Sequence, residues 1–247
     1  MTAMAYELAA ELPSTLVLWD VDHTLIENGG VSKETYALAF ELLTGVAPAV
    51  QPTTDGRTDF QIMRELLVAN SIAADKYVGI SQFEHVLVDA MKSKVRELPE
   101  RGYVLAGVVE VLKTLASVPT VIQSVLTGNI ALNALAKLSP FALTSWFDLD
   151  VGGYGSDDIV RANLVEAARC KVQRKYGTTF DSSSTVLVGD TPLDVEAAHN
   201  GGARVIAVAT GVYGVEILER AGADVTLNSL EDLEAFVHAL VDVRSRH

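Results

Sequence analysis

Asp20 and Asp22 lie two residues apart where the apolar run Thr15-Leu16-Val17-Leu18-Trp19 gives way to Val21, His23, Thr24 and Leu25. The run is short, apolar and preceded by Pro13-Ser14, the pattern of a buried strand. Side chains alternate across a strand, but the chain turns at its end. Both carboxylates can therefore face one cleft at the carboxyl edge, where open parallel sheets place their ligands. Carboxylates this close repel, and each raises the other's pKa unless a cation lies between them. The pair suits a metal site in which one carboxylate is a nucleophile and the other carries protons.

Three further segments carry chemistry-bearing residues, two of them at predicted strand ends. Leu126-Thr127-Gly128-Asn129 places a hydroxyl and a glycine turn before a helix, a source of N–H groups and a positive dipole end for a phosphate. Gly189-Asp190-Thr191-Pro192-Leu193-Asp194 puts Asp190 at a strand tip and Asp194 in the first turn of the next helix. Hard oxygen ligands without His or Cys nearby indicate Mg²⁺ rather than zinc. Arg161, expected at a helix start, can reach back to the sheet edge, hold a phosphoryl group and balance the carboxylates. Each segment alone has an ordinary explanation: a solvated loop, a capping Thr or Asp, a surface Arg. Their joint placement at three strand ends is what makes a site.

The elements that must position these residues read as strands over Val121–Leu126, Phe147–Val151, Thr185–Val188 and Arg204–Ala209. Helical patterns cover Ala106–Ser117, Ile130–Leu138, Ile159–Tyr176, Leu193–Asn200 and Leu230–Arg244. This alternation predicts an α/β protein with a doubly wound parallel sheet. The stretch from Glu27 to Tyr103 breaks it, with no clear strand and helices expected at Lys33–Leu43, Asp59–Asn70, Ala74–Gly79 and Ser81–Leu98. Residues 27–103 thus read as an all-helical cap inserted into a Rossmann-like core of residues 1–26 and 104–247, hanging over Asp20 and Asp22.

The 247 residues are 49% hydrophobic and 21% charged, enough apolar material for a substantial core. A formal charge of −13 makes the chain a poor general binder of nucleic acid or anionic membrane, so a phosphate substrate calls for local cations. Cys170 is the only cysteine, which excludes an intrachain disulfide and a thiolate cluster; its helical setting predicts a packing residue. Met1–Leu12 carries Glu7 and Glu11 and no Lys or Arg, unlike a signal peptide, and no run is long enough to span a membrane. The expectation is a cytoplasmic monomer or homodimer. Neither a GxxxxGK[ST] loop nor a GxSxG elbow is present.

Asp20-Val21-Asp22-His23-Thr24, the lone Thr127 and Gly189-Asp190-Thr191-Pro192-Leu193-Asp194, in this order, resemble the motifs of the haloacid dehalogenase-like (HAD) phosphatases with a helical cap, similar to phosphoglycolate phosphatases. The resemblance implies that Asp20 attacks phosphorus to form an aspartyl-phosphate and that Asp22 handles the protons. It implies Mg²⁺ held by Asp20, the Asp22 backbone carbonyl and Asp190, with Asp194 acting through water. It implies that Thr127, Gly128, Asn129 and Arg161 hold the phosphoryl oxygens of a small phosphorylated metabolite. The basic motif departs from the common Lys-Pro, and Lys171, Arg174 and Lys175 compete with Arg161 for it. Thr54-Asp55-Gly56-Arg57-Thr58-Asp59 resembles a cap segment facing the site, with Arg57 available to an anionic substrate group. His23 reads as a loop residue that fills space or touches substrate. Two alternatives remain: a phosphomutase similar to β-phosphoglucomutase, and a non-enzymatic phospho-accepting module like a response-regulator receiver, though receivers are about half this length. A dehalogenase is disfavoured because those relatives lack the second aspartate.

Overall fold

The computed structural model describes Leu8 and residues 12–246; most of the Met1–Leu12 segment and His247 lie outside the described residues. In chain order the elements are β1 (Thr15–Trp19), β2 (Ile26–Glu27), α1 (Val31–Thr44), α2 (Asp59–Ala69), α3 (Ser81–Lys94), α4 (Leu98–Arg101), β3 (Tyr103–Val104), α5 (Val108–Ala116), β4 (Val121–Thr127), α6 (Ala131–Leu138), β5 (Gly153–Tyr154), α7 (Asn163–Tyr176), β6 (Thr185–Gly189), α8 (Pro192–Asn200), β7 (Arg204–Val208), α9 (Val215–Arg220), β8 (Val225–Leu227) and α10 (Leu233–Ser245).

Six strands form one parallel sheet in the order β5-β4-β1-β6-β7-β8. Every residue of β1 is buried, which is why its sequence is apolar throughout after Thr15: helices cover both faces. The period of two divides it cleanly. Val17 and Trp19 join the core under α5 and α10, where Trp19 stacks on Phe236 with ring centroids 5.5 Å apart. Leu16 and Leu18 face the opposite core, with Leu164, Ala168 and Val172 of α7 and Val195 and Ala198 of α8. A side chain as large as Trp19, truncated to alanine in such packing, costs about 3–5 kcal/mol. No helix among the described residues is long and apolar enough to cross a membrane.

The sheet differs from the sequence expectation in its edges. Phe147–Val151 is not a strand; it contains a short 3₁₀ turn at Leu149–Val151, and the edge strand is Gly153–Tyr154. The Asp148 carboxylate accepts from the Asp150 N–H and stabilises this turn instead of an extended run. Strand β8 and helix α9 are too short for a periodicity to stand out. Ala74–Gly79 is not helical. Helix α7 starts at Asn163, so Arg161 precedes it. Cys170 is exposed rather than packed, beside the Glu166 carboxylate.

Helices α1 to α3 have their own apolar cluster, built on Tyr36, Phe40, Phe60, Met63, Leu67, Phe83 and Leu87, and Ile130 of the sheet layer joins it. The chain leaves and re-enters the sheet layer through the antiparallel pair β2–β3. Gly29, at φ 61°, has no room for a side chain: a Cβ there lies 2.5 Å from the Arg101 carbonyl oxygen, which presses the two crossings together. At the far end, Thr58 and Gln61 form a capping box that starts α2. Asp59 then clasps α2 onto the loop after β4. Its N–H donates to the Gly128 carbonyl (2.8 Å) and its carboxylate accepts from the Ile130 N–H (2.8 Å) and from Tyr36 Oη (2.5 Å).

Asp59 is fully buried, and burial pushes its pKa up from 3.8 to about 6 against the lowering effect of the Tyr36 and Ile130 hydrogen bonds. At low pH both folded and unfolded chains carry this proton. Between about pH 4 and 6 only the folded chain keeps it, so stability falls as pH rises, by up to ~3 kcal/mol at 1.36 kcal/mol per pH unit. Asp59→Asn keeps an acceptor for Ile130 and lacks this dependence. Its melting temperature is expected to gain roughly 5–10 °C on wild type between pH 4 and pH 7. A difference that does not change with pH refutes the buried, proton-retaining Asp59.

Candidate active site

Four loops at the carboxyl edge of the sheet meet under the cap. Asp20 follows β1, and its N–H donates to the Val188 carbonyl of β6 (2.9 Å), which pins it at the strand tip. Thr127 ends β4. Asp190 follows β6. Asp194 comes from the first turn of α8, where Thr191 is the N-cap and Pro192 occupies the first helical position. Thr191 and Asp194 bond reciprocally: Asp194 Oδ2 accepts from the Thr191 N–H (3.0 Å) and hydroxyl (2.7 Å), and Thr191 Oγ1 accepts from the Asp194 N–H (3.2 Å). Gly189 is required here, because a Cβ would sit 2.4 Å from the Asp194 carboxyl carbon.

Ligand oxygens of Asp20, Asp190 and Asp194 lie within 4.8 Å of one another. Arg161, buried in the loop before α7, answers two of them with one nitrogen: Nη2 donates to Asp20 Oδ1 (2.6 Å) and to Asp194 Oδ1 (2.5 Å). Its Nε is buried with no partner among the described residues. The competing cations point elsewhere. Lys171 pairs with Asp157, Lys175 with Asp148 and Asp150, and Arg174 donates to the Cys170 carbonyl.

The electrostatics of the two DxD carboxylates are opposite. Burial raises Asp20 to about 7, reinforced by Asp194 and Asp22 and only partly opposed by Arg161. Burial also disfavours ionised Asp22, but Lys137 and Asn129 outweigh it and hold the carboxyl at about 2. Asp22 accepts four hydrogen bonds: on Oδ1 from Asn28 Nδ2 (2.8 Å) and Ser32 Oγ (3.1 Å), on Oδ2 from Asn129 Nδ2 (3.1 Å) and Lys137 Nζ (2.6 Å). Asp190 is raised well above the usual carboxylate range by burial, then by Asp194 and Asp20; Thr24 Oγ1 donates to it at 3.2 Å.

The donor set fits a hard divalent cation. Asp20 Oδ2 and Asp190 Oδ2 accept no hydrogen bond among the described residues, whereas both oxygens of Asp194 are engaged. Asp20 and Asp190 are thus the carboxylates free to ligate directly, and Asp194 orients Arg161.

Asp20, Asp22, Thr127, Gly128, Asn129, Arg161, Asp190 and Arg57 all line one small cleft, whose cap wall includes Ser32, Tyr36 and Asp55. Asp194 lies behind the cleft, against Arg161. Asn129 Nδ2 also donates to Thr127 Oγ1 (2.7 Å). Gly128 presses on the cap loop, a Cβ falling 2.0 Å from the Arg57 carbonyl oxygen. Arg57 is occupied: Nε pairs with Glu65 (3.0 Å) and Nη1 donates to the Asp55 carbonyl (3.2 Å). His23 sits at φ 61° with Nδ1 2.9 Å from Glu27 and also lines the cleft. Sequence reasoning missed Asn28, Ser32 and Lys137. Only Lys137 left a signal, as a lone cation among Ile130, Ala134 and Leu138 on the buried face of α6.

A family model for HAD-hydrolase-like proteins matches residues 161–233, a span containing the Gly189–Asp194 segment. Over 240 residues the chain is 28% identical to "Probable phosphatase IndB" of Dickeya dadantii (strain 3937), covering 93% of this chain and 96% of that protein. Among solved structures it resembles the haloacid dehalogenase-like hydrolase SP0104 of Streptococcus pneumoniae (TM-score 0.62, 18% identity, 90% and 97% of the two chains). It likewise resembles CbbY of Rhodobacter sphaeroides, solved in complex with phosphate (TM-score 0.65, 18% identity, 90% and 96%). The chain is thus similar to haloacid dehalogenase-like hydrolases, in the matched segment and in its fold. It is an enzyme on a Rossmann-like core.

Removing Arg161 leaves two buried carboxylates facing each other without their cation. Arg161→Met is expected to destabilise the metal-free protein by about 3–5 kcal/mol in urea unfolding, against less than about 1 kcal/mol for a surface pair. A loss of surface-pair size refutes the bridging role of its guanidinium.

Proposed function

We propose that the protein is a Mg²⁺-dependent phosphomonoesterase that hydrolyses a small phosphorylated metabolite through an aspartyl-phosphate on Asp20. One observation carries this reading: among the described residues, Asp20 has an uncommitted oxygen beside Asp190, while Arg161 holds its other oxygen and keeps a buried N–H without a partner. When bound, Mg²⁺ would be held by Asp20, Asp190 and the Asp22 backbone carbonyl, with Asp194 assisting through water, and would supply charge neutralisation for a phosphoryl group.

Asp20 attacks phosphorus in line; the Asp20–phosphorus bond forms as the bond to the alcohol oxygen breaks. Asp22 gives the departing alcohol a proton. An incoming phosphate adds negative charge beside Asp22 and moves it toward the protonated form that this step needs. Water then attacks the aspartyl-phosphate, loses a proton to Asp22, and releases Asp20. The rest position of Asp22, ionised at about 2, favours this second half. Thr127 Oγ1, the Gly128 N–H and Arg161 hold the equatorial oxygens as charge redistributes. The cap closes on the phosphate loop through Asp59, which excludes water and leaves a small cleft. An anionic leaving group reaches Arg57 only if Arg57 leaves Glu65, so phosphoglycolate-type substrates require that exchange.

The assay is inorganic phosphate release from a panel of phosphorylated metabolites with Mg²⁺. Sustained release is expected, and Asp20→Asn lowers it to background while leaving the melting temperature within a few degrees. Isomer interconversion identifies a phosphomutase instead, and a wild-type rate in Asp20→Asn refutes the nucleophile. Separately, Mg²⁺ at 100 times its Kd is expected to stabilise the wild type by about 2.7 kcal/mol. Asp190→Asn, which relieves carboxylate repulsion, melts no lower than wild type without Mg²⁺ and gains nothing from it. Equal gains in both proteins refute Asp190 as a ligand.

A further inference from the structure

Lys137 is the one residue of the site that its own helix does not explain. It projects from α6 between Ala134 and Leu138, and the whole side chain is buried, with 1% of its surface exposed. An ammonium so placed costs several kcal/mol in desolvation, and an aliphatic residue satisfies the apolar packing better. Its partners account for it. Nζ donates to Asp22 Oδ2 (2.6 Å) and to Asn129 Oδ1 (2.7 Å). A lysine can only donate, so it must face the carbonyl end of the Asn129 amide. That orientation turns Asn129 Nδ2 toward Asp22 Oδ2 (3.1 Å). Lys137 therefore fixes Oδ2 of Asp22 directly and through Asn129, while Asn28 and Ser32 fix Oδ1 from the base of the cap.

We propose that Lys137 is a positioning residue: it aims the Asp22 carboxylate, and the Asn129 amide beside it, at the oxygen of the departing alcohol. The inference rests on the phosphomonoesterase reading above. It adds a residue from the helix behind the phosphate loop, outside the motifs that identify the family. Lys137 does not touch substrate. It does not line the cleft, and its effect passes through Asp22.

The test compares kcat/KM for an alkyl phosphate, whose leaving group needs a proton, with p-nitrophenyl phosphate, whose leaving group does not. Lys137→Gln keeps a hydrogen-bonding side chain and loses the fixed cation. The alkyl-to-aryl ratio of kcat/KM is expected to fall about 10-fold or more, since misaimed proton transfer penalises only the poor leaving group. A merely structural role lowers both values together, and an unchanged ratio overturns the inference. If Lys137→Gln lacks a cooperative thermal transition, Asp22→Asn and the doubly substituted Asp22→Asn/Lys137→Met decide, because the pair is then neutral. Equal kcat/KM for p-nitrophenyl phosphate in these two, within about 2-fold, supports action through Asp22; a further loss in the double variant overturns it. Wild type that hydrolyses neither ester overturns the phosphomonoesterase reading and this inference with it, whereas an unchanged ratio in active protein overturns the inference alone.

Discussion

Three buried carboxylates within 4.8 Å of one another have to be neutralised, and the architecture follows from how that is done. Asp20, Asp190 and Asp194 come from two adjacent strand tips and a helix start, so no local structure separates them. Arg161 supplies one positive charge to two of them from a loop that enters the sheet edge. One oxygen each of Asp20 and Asp190 accepts no hydrogen bond among the described residues, which is where a metal is useful. Unlike Asp190, Asp22 is compensated entirely by protein. Proteins accept such a cost in stability where a function needs charge in a dry place.

The close approaches of the backbone serve the same end. Gly189 lets Asp194 fold back under β6, and Gly128 lets the cap loop rest on the phosphate loop. Gly211 does the same on the far side, where a Cβ would fall 1.9 Å from Asp190 Oδ2. In each case a side chain would push apart two groups that the site needs together.

Much of this was legible in the sequence because the signals were strong and local. The apolar run before Asp20, the alternation of strands and helices, and the hydroxyl and acidic residues at strand ends all reflect burial and turn chemistry that act within a few residues. The Asp148–Asp150 turn, which replaced an expected strand, and the two-residue strands β2 and β3 depend on contacts that periodicity does not record. Asn28 and Ser32 look like ordinary cap-entry polar residues until Asp22 is seen between them. The sequence favoured Arg161 over Lys171, Arg174 and Lys175 by its position alone; the physical basis of the choice, which cations find other partners, is visible only in three dimensions. Exposure of Cys170 likewise turns on which face of α7 meets the sheet.

The clasp at Asp59 carries a consequence for traffic through the cleft. Two backbone-linked bonds join α2 to the phosphate loop, and at about 0.5–1.5 kcal/mol net each they hold the lid shut by ~1–3 kcal/mol. A bias of that size, taken alone, corresponds to a gate ajar in roughly 0.6–16% of molecules, enough for admission and discharge without a partner to pry it open. The same latch that shuts out solvent is thus weak enough to be its own doorkeeper.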